Sequence, residues 1–436
     1  MVPGNQIILF LTSASYEREL YESMADEFPT PRRSSAMFIF RRQLILWGGL
    51  TQVFIGEREK QFMYDSDIPG PDHDNAYLEI FDLDSYEWHK QLIFGPFPRV
   101  GYSSCYGVIG HMLYIIGGMN DEAYFDGTYA LDLEKFTWTS LPNAPLQRAL
   151  GGCVVHGTAL FTFGGVGHKP IQESRSGATF DPDDSFQNAF GTVWNNTLHM
   201  YETTTDTWKE VACKGVRPSP CEKFTFSRID RNRAILIGGK RRKFDAGLNT
   251  IYLFDLNTLI WAGPYGPNGT DEKWPDGRGL HSAACLVDPE SDLAGSNQRI
   301  IVFWGEGLEA KILNDVWILA VSTLSWTQLH LGASFRPRKY HMSCSYHIAE
   351  GQTDVLVFGG NKQRKTKFER NVMTDLLIFR FGSVRSLEEL CLQYLKNNTS
   401  YANHTSLISP NVLNKLRNLN NNSDFIVVYP YEKSVL

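Results

Sequence analysis

The sequence predicts an all-β fold, a six-bladed β-propeller with a short C-terminal helical tail. Three observations carry this. A short apolar strand running into glycine is written six times: Leu44–Trp47 into Gly48–Gly49, Leu113–Ile116 into Gly117–Gly118, Leu160–Phe163 into Gly164–Gly165, Ala234–Ile237 into Gly238–Gly239, Ile301–Trp304 into Gly305, and Val355–Phe358 into Gly359–Gly360. An acid stands six residues before a tryptophan at Asp82 and Trp88, Asp132 and Trp138, Glu202 and Trp208, and Asp255 and Trp261. A turn, usually rich in proline and basic residues, precedes each glycine signal, as at Pro31–Ser34, Pro98–Gly101, Gln147–Leu150, Pro220–Lys223, Gly277–Leu280 and Pro337–Tyr340. Strand-like content recurring every several tens of residues marks an array.

Each unit reads as four strands. Strand a follows the turn, b ends at the glycines, c carries the acid and d the tryptophan, on their β-branched and aromatic content and period-two stretches. Radial packing of such sheets buries both faces of each and leaves only short edges. Glycine pairs suit a close approach of backbones near the axis, and the tryptophans suit the space between blades. In the fifth unit Glu306 is read as replacing the second glycine, and Ala320 stands where the acid would precede Trp326. The sixth unit reaches Asp375–Phe379 without a tryptophan. Ring closure must therefore be made differently there, and the N-terminal segment is one source of a closing strand.

The double glycine and spaced tryptophan resemble the kelch repeat family between about residues 30 and 380. The chain divides into an N-terminal segment (1–28), the propeller (29–383) and a helical tail (384–436). The net charge of −6 does not favour a nucleic-acid-binding surface. Seven cysteines spread singly, with no CxxC, suit neither a disulfide framework nor zinc and read as reduced thiols. Ile7–Leu11 lacks a basic segment before it, so a signal peptide is not expected, and no apolar run reaches membrane-spanning length. The sequons at Asn195, Asn268, Asn397, Asn398, Asn403 and Asn421 matter only in a secreted chain. The expected location is the cytoplasm or nucleus.

In the tail, Ser386 and Glu389 form a capping box, and Leu387, Leu390, Cys391, Tyr394 and Leu395 make one apolar stripe of an amphipathic helix. Such a helix can brace a blade. Leu387, Cys391 and Leu395 also resemble the elongin-binding box of cullin–RING ubiquitin ligase receptors, a helix-in-groove contact. Pro410 and Leu413 match part of the companion cullin-selecting motif, whereas Ser409 and Arg417 depart from it. Propeller first and box last is similar to the kelch domain-containing receptors that read protein C-termini. Tyr21–Met24 and the insertion from Thr179 to Trp194 share that similarity.

The b–c loops and d–a turns emerge on one face, giving a rim with Arg32, Arg99, Arg148, Lys223, Arg278, Arg338 and Lys339 from the turns. His168, Trp194, Lys240, Arg241, Arg242, Lys243, Lys362 and Arg364 come from the loops. A cationic ring on an acidic chain suits a carboxylate-bearing peptide, since Arg grips carboxylate with two parallel hydrogen bonds. The resemblance places expected degron contacts at Trp194, Lys240, Arg241, Arg242, Arg278 and Leu280, and the basic rim adds Arg338 and Arg148. It also implies elongin and cullin contacts at Leu387, Cys391, Leu395, Pro410 and Leu413. Lys240 replaces an arginine of the resembled pocket and Gly279–Leu280 replaces Ser–Trp, so strict diglycine reading and a different C-terminal or internal motif both stay open.

The implied function is a non-catalytic substrate receptor that joins elongin B–C and a cullin to target proteins, with no cofactor, metal, nucleic acid or membrane. The alternative is a kelch scaffold in trafficking or the cytoskeleton. Lys240–Lys243 also fits a nuclear localisation or phosphate-binding cluster. His281 and His341 occupy equivalent repeat positions and read as packing residues. No Ser–His–Asp triad, P-loop or paired-carboxylate motif supports an enzyme.

Overall fold

The computed structural model describes residues 7–9, 29–55, 58–63, 76–98, 102–120, 123–170, 174–182, 191–241, 247–267, 273–331, 335–349, 351–363, 371–382 and 426–430. Each repeat is one antiparallel blade. The first holds Ala36–Phe40, Gln43–Trp47, Tyr77–Asp82 and Trp88–Leu92. The second holds Cys105–Ile109, Met112–Met119, Tyr124–Asp132 and Thr137–Leu141. The third holds Gly152–His156, Ala159–Phe163, Leu198–Glu202 and Thr207–Glu210. The fourth holds Thr225–Arg228, Arg233–Ile237, Ile251–Asp255 and Ile260–Tyr265. The fifth holds Ser282–Cys285, Arg299–Phe303, Val316–Ala320 and Ser325–Leu329.

The sixth blade shows how the ring closes. Met342–Ala349, Gln352–Phe358 and Leu376–Phe381 are joined by Ile426–Pro430 as fourth strand, with Ile7–Leu9 parallel to it at the edge. The stretch expected as helical tail therefore ends in a propeller strand. The helix expected from Ser386 to Leu395, with Leu387, Cys391, Leu395, Pro410 and Leu413, lies outside the described residues.

The core lies between blades, in six apolar clusters that each join two neighbours. Blades one and two share Trp47, Ile80, Ile115 and Trp138, and blades three and four share Phe163, Phe226, Phe254 and Trp261. The strand-d tryptophans fill these spaces: Trp138 meets Trp47 at 5.0 Å and Trp261 meets Phe163 at 5.0 Å. An aromatic ring buried this way removes 150–250 Å² from water, roughly 4–6 kcal/mol of gross transfer free energy. The interface of blades five and six has no strand-d tryptophan and takes its bulk from Phe303, Trp304, Phe379 and Phe381.

That substitution corrects the register expected for blade five. Among the described residues the second glycine gives its N–H to the next turn, as Gly239 does to Arg278 (2.8 Å), Gly360 to Arg32 (3.0 Å) and Gly305 to Arg338 (3.1 Å). Gly305 is thus the second glycine, and Trp304 replaces the first. Trp304 adopts φ 43°, a left-handed conformation uncommon for a bulky residue, and is buried against His341 with ring centroids 5.3 Å apart. Glu306 is one position beyond the pair.

The acid before each tryptophan caps the c–d turn. The Asp82 carboxylate accepts the N–H groups of Asp84 (2.9 Å) and Ser85 (2.8 Å), and Asp132 and Asp255 do the same two and three residues on. The chain then turns through a left-handed residue, Tyr86, Phe136 or Leu259.

Candidate functional site

The turns entering strand a meet at the axis in a closed backbone cycle. The N–H of Ser34 donates to Tyr340, Tyr340 to Leu280, Leu280 to Lys223, Lys223 to Leu150, Leu150 to Ser103 and Ser103 to Ser34, at 2.9–3.1 Å. All six residues are left-handed, with φ between 55° and 62°. Left-handed backbone costs a non-glycine residue about 1–2 kcal/mol, and each hydrogen bond returns roughly 0.5–1.5 kcal/mol. The cycle caps a central channel of about 340 Å³. His281 and His341 line it. Burial, then Arg278, lowers the His281 pKa to about 3, and burial, then Arg338, holds His341 well below its ordinary value, so both rings are neutral. No group of three or more metal-ligating side chains occurs among the described residues.

The arginines two positions before the cycle, Arg32, Arg148, Arg278 and Arg338, are buried. Arg278 is 2 % exposed and holds Asp315 with two bonds of 2.9 Å, and Arg338 is 1 % exposed and holds Asp375 with two of 2.7 Å. Arg32, Arg148, Arg278 and Arg338 each also donate to the carbonyl at the first-glycine position of their own blade, that of Gly48, Gly164, Trp304 or Gly359. Arg148 meets the Thr197 hydroxyl at 2.8 Å and His199 at 3.1 Å instead of an acid. These guanidinium forks lock turn to blade, so Arg148, Arg278 and Arg338, expected to read a ligand, have internal partners.

Three other expected contacts are also internal. Trp194 is buried between Ala149 and Val166, Leu280 is a buried member of the cycle, and Lys240 is 2 % exposed with its ammonium on Glu306 at 2.7 Å. Arg241 alone of the described set is exposed, and it pairs with Asp181 at 2.9 Å. Arg242 lies outside the described residues. Asn195 is buried, with its amide on the Gly165 carbonyl at 3.0 Å, so that sequon is closed to a glycan.

What the fold does present is a cationic group around Tyr340. The Arg33 guanidinium lies 4.8 Å from the Tyr340 ring centre and the Lys339 ammonium 5.9 Å, both within cation–π reach. Lys223, two steps round the cycle, has its side chain 17 % exposed. Burial pulls its pKa down, but Glu222, then Tyr340, outweigh burial and raise it, so Lys223 is firmly charged. The accompanying acids, Glu222 and Glu306, are buried, while Arg33, Lys223 and Lys339 reach the surface. Two b–c insertions rise on the same face: the hairpin of Leu50–Ile55 and Arg58–Met63 in blade one, and the sheet of Val166–His168, Phe180–Pro182 and Thr192–Asn195 in blade three. Sequence reasoning missed Arg33, Tyr340 and Glu306. The repeat itself held the signal, because the residue two beyond each buried arginine is the one at the axis.

Six four-stranded blades closed around an axial cycle, each entered by a basic turn and ended by a glycine signal, define the class: a kelch-type β-propeller. The model of the KLHDC2/KLHL20/DRC7 Kelch-repeats domain matches residues 67–295 and 229–391, and the chain belongs to that family. It is 28 % identical to human Kelch domain-containing protein 1 over 387 residues, 86 % of this chain and 86 % of the relative. It is 25 % identical to human Kelch domain-containing protein 2 over 384 residues, 86 % of this chain and 87 % of the relative. A solved chain titled "Structure of YjhT" superposes with a TM-score of 0.56 at 15 % identity, covering 82 % of this chain and 97 % of that one, and shares its fold.

Proposed function

We propose that this protein is a non-catalytic substrate receptor of an elongin–cullin–RING ubiquitin ligase. Its propeller takes an acid-bearing degron of a target protein on the Tyr340 face, and its tail docks elongin B–C through Leu387, Cys391 and Leu395, with Pro410 and Leu413 toward a cullin. The observation that carries the binding half is the Arg33 guanidinium 4.8 Å from the Tyr340 ring centre at the mouth of the cycle. Anionic groups gain from cations set over a partly desolvated aromatic face. The docking half rests on the box residues in sequence and on kelch-family membership. A receptor of this kind raises the local concentration of substrate beside the ubiquitin-charged enzyme and needs no chemistry of its own. Action in the cytoplasm or nucleus is part of the proposal.

The test is a pull-down of purified elongin B–C by the full chain and by a Leu387→Asp, Cys391→Asp variant. Point substitutions are required, because deleting the tail also removes Ile426–Pro430 from the sixth blade. Capture by the wild type and loss in the variant is the expected result. Capture by neither overturns the ligase reading and favours a kelch scaffold.

A further inference from the structure

Glu306 is an acid at a position where the other blades have Leu50, Met119, Val166, Lys240 and Asn361. Its backbone pairs with Gly279, and its side chain is buried. One carboxylate oxygen accepts from Lys240 Nζ at 2.7 Å and the other from Lys339. Lys240 follows the glycine pair of blade four, Glu306 that of blade five, and Lys339 sits in the turn entering blade six, so three consecutive blades meet on one carboxylate. A Cβ on Gly279 would stand 2.9 Å from Lys240 Cγ, so glycine leaves the lysine room to reach. A second bond from Lys240 to the Gly307 carbonyl, at 3.0 Å, fixes the ammonium in place.

Two fixed ammonium groups, one per oxygen, are what a protein offers to bind a carboxylate. We propose that Glu306 is the built-in occupant of a carboxylate seat beside the axis, and that it makes this face reject a ligand carboxylate at that place. An incoming carboxylate would have to displace two ion pairs and then stand next to Glu306, like charge against like. A ligand's acidic group is thereby directed to Arg33 at the Tyr340 ring, since Lys223 already holds Glu222. The consequence for degron choice rests on the receptor reading above, but the occupancy itself is tested without any partner.

The experiment is thermal unfolding of full-length wild type and Glu306→Ala at neutral pH and constant ionic strength, in chloride, acetate, or chloride with acetamide. Removing one partner of a buried ion pair lowers the Tm of Glu306→Ala by roughly 5 °C. Acetate entering the vacated seat restores roughly half of that loss, acetamide restores none, and the wild type does not respond. Absence of an acetate-specific gain in Glu306→Ala, or an equal gain in the wild type, overturns the proposal. Should Glu306→Ala fail to fold in chloride, recovery of folded protein in acetate but not acetamide is expected, and no recovery in acetate overturns it. Acetate rescue together with failure of the elongin pull-down would keep the role of Glu306 and remove only the ligase reading.

Discussion

The backbone N–H of Ser34 donates to the Tyr340 carbonyl at 3.0 Å, and this bond ties the start of blade one to the start of blade six. It closes a cycle in which every donor comes from a left-handed residue. Ser34→Gly meets the same backbone demand and should change stability by less than about 1 kcal/mol, since relieved strain offsets a more flexible unfolded chain. Ser34→Val puts a β-branched residue in a left-handed position and should cost about 2 kcal/mol or more. Urea unfolding of both variants checks this, and equal stability of the two would remove strain from the account of the cycle.

Trp304 stands in a conformation that glycine adopts freely at the same place in the other blades. Trp304→Gly relaxes the backbone but removes the ring packed on Phe303, His341 and Arg338. The cavity cost of a large aromatic, about 3–5 kcal/mol, exceeds the strain relieved, so net destabilisation of roughly 2–3 kcal/mol is expected. A variant as stable as wild type by chemical denaturation would show that Phe379 and Phe381 hold the interface of blades five and six without it.

Arg278 and Asp315 form a buried two-bond pair, and removing one partner leaves a charge without compensation. Arg278→Met should destabilise by about 3–5 kcal/mol. Arg278→Met with Asp315→Leu should recover much of that, because apolar replacement of both partners avoids the uncompensated charge. The four-state cycle is measured by denaturation, and independent, additive effects would show that the pair does not act as one unit.

His281 keeps its proton off in the fold down to about pH 3, whereas in the unfolded chain it titrates at its ordinary 6.5. The unfolded chain therefore binds more protons between these values, so stability falls as pH is lowered from 6.5 toward 3. Buried His199, also held to about 3 by burial and then by Arg148, acts in the same direction. His281→Phe should lessen the drop in stability between neutral pH and about pH 4.5, read by urea midpoints. An unchanged drop would place its cause in other groups.

The repeat was legible in the sequence because its marks answer local demands. Glycine pairs answer left-handed backbone, the acid answers the orphan N–H groups of the c–d turn, and tryptophan answers the gap between blades. These determined six blades and their strands, except the closing strand Ile426–Pro430 of the sixth, which carries none of the repeat's marks. Tertiary structure decided what the charges do. Arg278 and Asp315 are 37 residues apart, as are Arg338 and Asp375, and nothing in the chain order says that each guanidinium meets that carboxylate rather than a ligand. The same holds for Glu306, whose two lysines come from neighbouring blades, and for Tyr340, which reaches the axis only because the ring closes. Backbone conformation and burial are asked of a residue by its near neighbours and leave a pattern, whereas an ion pair depends on which distant residues folding brings within a few ångströms.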